Sequence, residues 1–87
     1  MQHGIVIGHA TSTIKHPSFA GWKLAIVQTL GINDQPEADP IIAIDSYNAA
    51  AGQKVLVNCD GRAARELIGD VKSPVRWFVC GLIDETN

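Results

Sequence analysis

Chain breakers come so often in this sequence that no segment between them has room for more than a short strand or a two-turn helix. Pro17, in Lys15-His16-Pro17-Ser18, cannot donate to a strand ladder and biases His16 away from helix, and Gly21 gives a second break. Residues 31–40 are rich in turn formers and carry three carboxylates, Asp34, Glu37 and Asp39, which predicts an exposed loop. Further on, Asn48-Ala49-Ala50-Ala51-Gly52 forms a tight small-residue loop, and Asp60-Gly61 turns the chain again. Small residues let backbones approach closely and Gly permits positive φ, so the 45–52 segment suits a packed corner, a subunit contact or the rim of a pore. It carries no side chain suited to catalysis.

Between the breaks the residues alternate. In residues 4–14, Ile5, Ile7, His9, Thr11 and Thr13 fall on one face and Val6, Gly8, Ala10, Ser12 and Ile14 on the other, with the β-branched density of a strand. Residues 22–30 predict a second strand, with Trp22, Leu24 and Ile26 opposite Lys23, Ala25 and Val27. Residues 41–46 and 54–59 give two more, and 75–83 a last one after Pro74. Good helix formers fill 62–68, a stretch too short to stand without tertiary packing. Five strands with one short helix before the last predict a mainly β fold, a small five-stranded antiparallel β-barrel of OB-like form. Closure removes the edges that such apolar strands would expose. The 87 residues make a single domain, 1–87.

A chain of this length buries about 60% of its unfolded surface, enough for one core. With 46% hydrophobic residues it carries more apolar area than it hides comfortably alone, which favours self-association. Its net charge of −2 supplies no positive field for nucleic acid or an anionic membrane. Charge is unevenly placed, because Lys15, Lys23 and three histidines precede any carboxylate. In a ring, this basic side would face a neighbour's acidic loop; a solvated loop without a partner is the equal alternative, since exposed pairs contribute only about 0–1 kcal/mol.

Cys59 and Cys80 sit in strand-like runs and read as small buried hydrophobes, with a disulfide left open. The first residues lack a signal-peptide pattern, and no run of about 18 apolar residues could span a bilayer, so a reducing, cytoplasmic setting is the expectation.

Catalytic groupings are missing from the pattern. His3, His9 and His16 lack the close spacing that gathers metal ligands, and there is no Walker or dinucleotide fingerprint. Cys80 near His9 across a barrel would be the one nucleophile pairing, with no positive sign in the sequence. The reading is therefore not an enzyme, with no cofactor and no metal. A barrel of this type also serves single-stranded nucleic acid, through aromatics in a basic groove. Here only Phe19, Trp22, Tyr47, Trp77 and Phe78 are aromatic, and the adjacent Trp77 and Phe78 place one ring on each face of their strand. The outward ring suits an interface anchor better than a base platform.

Four ordered elements resemble the pentameric vertex proteins of bacterial microcompartments, the ethanolamine-utilisation and carboxysome vertex-protein family. They are Thr13-Ile14-Lys15 with Phe19-Ala20-Gly21-Trp22-Lys23-Leu24, then Asp45 through Leu56, then Ala63-Ala64-Arg65, and finally Pro74-Val75-Arg76 leading to Gly81-Leu82-Ile83-Asp84. The likeness covers nearly the whole chain. Asn48 and Ala50 stand where the family pattern has glycines, Gln53 where it has an acid, and Arg76 where an acid is usual. The resemblance implies a homopentamer capping the vertices of a polyhedral shell otherwise tiled by hexamers, in the bacterial cytoplasm, without nucleic-acid or membrane partners. It also implies subunit-interface or pore residues among Thr13, Lys15, Lys23, Asp45, Asn48, Ala49, Ala50, Gly52, Arg65, Ile83 and Asp84.

Overall fold

The structure, a computed structural model, describes residues 1–10, 22–73 and 75–83. Five strands form a closed barrel in the order β1-β2-β3-β5-β4, with β1 at Gln2–His9, β2 at Leu24–Thr29, β3 at Ile41–Ile44, β4 at Lys54–Cys59 and β5 at Trp77–Leu82. The one α-helix among the described residues, α1 at Gly61–Ile68, precedes β5 as expected. Four strand pairs are antiparallel, but the pair β3–β5 that completes the barrel is parallel, joined at Ala43↔Trp77 and Ile44↔Phe78. The parallel pair follows from strand parity: β4 runs opposite to β3 around the barrel, and the connection through α1 returns β5 antiparallel to β4 and hence parallel to β3. Observed strands are shorter than the apolar runs at most ends: residues 22–23, 45–46 and 75–76 lie outside them.

Inward residues of all five strands make the main core. Val6, Ala25, Val27, Ala43, Val55, Val57 and Val79 are essentially inaccessible, joined by Ala49 and flanked by Ile41 and Trp77. Their β-branched or small side chains fit the narrow interior of a five-stranded barrel. A second cluster sits on the outer face, where the register partners Leu24, Ile44 and Phe78 make a row across β2, β3 and β5. Ala64 and Ile68 of α1 pack on this row with Val75 and Trp22. Phe78, the outward ring of the Trp77-Phe78 pair, is thus half-buried by the chain's own helix rather than left free as an anchor.

Local chemistry explains why α1 stops and starts where it does. Asp60 caps its first turn, its Oδ1 accepting from the backbone N–H of Arg62 and of Ala63, both at 3.1 Å. Gly69 ends it in the left-handed region at φ 77°, which costs glycine nothing. Asp60-Gly61, expected as a turn, is therefore a helix start.

The strict alternation expected along the first strand fails at Ile7. Val6 pairs with Val27 but Gly8 pairs with Ile26, so Ile7 is the extra residue of a bulge. Beyond it the faces exchange, and His9 lies opposite the buried Ala25, on the same side as Val6. Cys59 also departs from expectation: at the last position of β4 it is exposed, Cys80 is half-buried, and both are free thiols.

Candidate functional site

The loop between β3 and β4 is fixed by a buried carboxylate. Asp45, 3% exposed, accepts from the N–H of Tyr47 at 2.8 Å through Oδ1 and from that of Ala49 at 2.7 Å through Oδ2. These bonds pull the chain into a turn that buries Ala49 completely and leaves Ser46, Tyr47, Asn48, Ala50, Ala51 and Gly52 exposed. Asn48 takes φ 60°, where asparagine is among the few tolerant residues, and the Lys23 ammonium donates to its Oδ1. Gly52 sits at φ 89° with no heavy atom within 4 Å of the place a Cβ would occupy. Glycine is required there for its backbone, while the space beside it is open. Ala50 is not among the positive-φ residues, so its place in the family's glycine pattern makes no demand for glycine here.

The bulged part of β1 holds the far side of the loop. Gly52 N–H donates to the Val6 carbonyl at 2.7 Å, and Val6 N–H to the Gln53 carbonyl at 2.9 Å, which extends the β1–β4 ladder. His9 Nε2 lies 3.0 Å from the Ala49 carbonyl oxygen. A carbonyl only accepts, so Nε2 carries the hydrogen. Gln53 Oε1 accepts from Ala50 N–H at 3.2 Å. The sequence named His9 as a ligand or base candidate and Gln53 as a departure from the family pattern, but gave neither a part in holding this loop, because the bulge that turns His9 inward has no local signature.

The structure thus gathers Lys23, Asp45, Asn48, Ala49, Ala50 and Gly52 into one unit, with Ile83 nearby through its N–H to the Lys54 carbonyl at 3.0 Å. Arg65 is not part of it. The loop leaves β3 at the end of the barrel where α1 packs on Ile44 and Phe78, and its Ser46 and Tyr47 line one shallow pocket with Ala63, Glu66 and Leu67 of α1; the helix borders the loop's start, while Arg65 itself turns toward Gly61. Thr13, Lys15 and Asp84 lie outside the described residues.

Arg65 points back one turn, as helical side chains do, toward Gly61. A Cβ built on Gly61 would stand 2.9 Å from the Arg65 NH1 nitrogen and 3.5 Å from that of Arg76. The two guanidinium groups therefore share one small region beside the helix start. Nearby Asp60 is occupied with the backbone cap, Arg62 pairs with Glu66 at 3.5 Å, and neither Arg65 nor Arg76 has a carboxylate partner among the described residues.

The expected complement of basic side and acidic loop runs between neighbouring subunits, and within one chain the two lie apart. Lys23 precedes β2 and Asp34 follows it, so they belong to opposite ends of that strand. Asp34 instead pairs with Lys54 of its own chain at 2.8 Å, a contact that holds its carboxyl below the ordinary value of 3.8. Gln28 Nε2 donates to the Ala38 carbonyl at 3.0 Å, and the Thr29 hydroxyl to that of Glu37, pinning the loop against β2.

Among the described residues no group of three His, Cys, Asp or Glu side chains could hold a metal ion, and no helix is long and apolar enough to cross a membrane. With the geometry in place, the family question is settled by a match over residues 1–84 to the family described as ethanolamine utilisation protein EutN/carboxysome. The chain belongs to the EutN/CcmL family. It is 33% identical over 85 residues to the bacterial microcompartment shell vertex protein EutN of Salmonella typhimurium, covering 98% of this chain and 85% of that protein. The solved CcmL of Gloeobacter violaceus superposes with a TM-score of 0.81 at 36% identity, covering 100% of this chain and 89% of that one. GrpN, a pentameric microcompartment shell protein from Rhodospirillum rubrum, gives 0.78 at 30% identity, covering 100% and 98%. The closed barrel with its single helix is thus the fold of EutN/CcmL proteins.

Proposed function

We infer that this EutN/CcmL member is a structural, non-catalytic vertex subunit of a bacterial microcompartment shell, assembling as a homopentamer. The observation that carries this reading is the full-length match in fold and sequence to a relative solved as a pentameric shell protein. Physical reasoning agrees with it. A flat hexagonal sheet does not close, and five-fold units supply the missing curvature; a head-to-tail contact closes into a ring when its rotation matches the symmetry. The chain exposes Ile7, Ile42, Tyr47, Leu67 and Leu82, apolar side chains that a subunit contact would cover. We propose further that the ring inserts among hexameric shell proteins in the cytoplasm, and that the 45–52 loop with Lys23 and Ile83 contributes to the subunit contact or the axial opening.

Native mass spectrometry of the purified protein tests the assembly. Five-subunit species at micromolar concentration are the expected result. A stable monomer under the same conditions overturns the reading.

A further inference from the structure

We propose that Arg65 and Arg76 form a receptor for the acidic loop of a second copy of this chain, with Glu37 and Asp39 as the incoming carboxylates. This contact rests on the ring reading above and names what one subunit gives the next.

Each half of the contact is present on the single chain without an ion-pair partner among the described residues. The two guanidinium groups converge on Gly61 without a carboxylate partner among the described residues, close to the partial positive charge of a helix start. Asp60, the acid next to Gly61, has its Oδ1 engaged by two backbone N–H groups, and Glu66 pairs with Arg62. On the other half, Glu37 and Asp39 are exposed and make no ion pair among the described residues, while Asp34 is held by Lys54. The acidic loop is also well placed to act as a fixed projection. Its backbone is tied to Gln28 and Thr29, and Ala38, between the two carboxylates, is held at φ 64°, a strained conformation for alanine.

Position favours a contact between copies. The acidic loop leaves the barrel from β2 and the arginine pair stands at the exit of β4 and the entry to β5; β1 lies between β2 and β4 in the barrel order. Thr29 at the exit of β2 and Val55 at the entry of β4 both pair with Gly4, so the acidic loop stands at one end of the barrel and the arginine pair, beyond Cys59, at the other. A heterologous ring contact needs two different, mutually complementary patches of this kind. Opposite charge across it fixes register and partner choice. Arg76, which stands where the family pattern usually has an acid, becomes half of this receptor in the present chain.

The test is a charge exchange read by native mass spectrometry and sedimentation velocity, with circular dichroism reporting the barrel. The variant Arg65→Glu/Arg76→Glu and the variant Glu37→Arg/Asp39→Arg each replace one side. Each is expected to weaken ring association by roughly tenfold or more while leaving the β signal intact. In an equal mixture of the two variants every mixed contact is complementary, so a five-membered ring keeps one like-charge contact, whereas the combined variant with all four substitutions restores every contact and is expected to recover the ring. If the wild type is a ring and the combined variant is no better than the two-site variants, or if the two-site variants assemble like the wild type, the contact is overturned and the functional reading stands. If the wild type itself forms no ring, both fall together. For a variant that loses its β signal, Arg76→Gln and Glu37→Gln at exposed positions replace it: weakened rings support the contact, and unchanged rings overturn it.

Discussion

At the scale of single residues, two carboxylates illustrate how burial decides what a charge does. Asp45 is buried and spends both oxygens on backbone N–H groups, so it acts as a structural clamp on the loop. Asp45→Asn keeps one acceptor and turns an amide NH2 toward a buried N–H donor. The expected loss is about 1–3 kcal/mol, read as a lower denaturation midpoint with an unchanged slope; an unchanged midpoint would remove the clamp from the account. Asp34 is its exposed counterpart. The hydrogen bond from Lys54 chiefly lowers its pKa, with the Lys54 charge second and His3 adding slightly, against a small opposing effect of desolvation. A carboxyl whose folded pKa is depressed stabilises the fold above its unfolded value of 3.8 and loses that contribution as pH falls through the folded value. Hence the wild type should lose stability relative to Asp34→Asn between about pH 5 and 2, an effect reduced by salt. Parallel acid titration curves for the two proteins would show that the pair contributes nothing.

At the scale of elements, α1 couples a short sequence signal to the packing of a whole face. Asp60 begins it, Gly69 ends it, and its Ala64 and Ile68 cover the Leu24–Ile44–Phe78 row. Asp60→Ala removes a side chain that satisfies two N–H groups, and it should cost about 1 kcal/mol, roughly 4–8 °C in melting temperature for a domain of this size. Asp60→Ser should recover most of it, and a melt of Asp60→Ala superimposable on the wild type would refute the cap. The strands and this helix were legible because alternation, turn residues and helix formers are local. What was not legible is non-local. The bulge at Ile7 is set by how β1 pairs with β2 and then with the loop at Gln53, and one slipped residue moved His9 to the inner face. The parallel β3–β5 pairing depends likewise on barrel closure, which sets β5 between β4 and β3. Alternation did separate Trp77 from Phe78, but only the docked helix revealed that both faces of that strand were already covered.

At the scale of the whole molecule, the 45–52 loop offers a way to separate what a residue does for its own chain from what it does for a neighbour. The sequence pointed to this loop through its small residues, and the structure explains each differently. Ala49 is small because it is fully buried, Asn48 serves a positive φ, and Gly52 serves a positive φ beside empty space. Arg65, named beside them through the family resemblance, stands on the helix that borders the start of this loop but turns toward Gly61 and Arg76. Any non-glycine residue at position 52 bears the same backbone cost, about 1–2 kcal/mol. Added bulk meets nothing within the chain. Gly52→Ala and Gly52→Trp should therefore melt at similar, slightly lowered temperatures when measured as separated monomers. They should differ in assembly: the alanine variant is expected to sediment as the wild-type ring and the tryptophan variant to shift toward monomer. Should the tryptophan variant assemble as well as the alanine one, the space beside Gly52 faces solvent in the ring, and the subunit contact must be carried by other surfaces such as the arginine pair and the acidic loop.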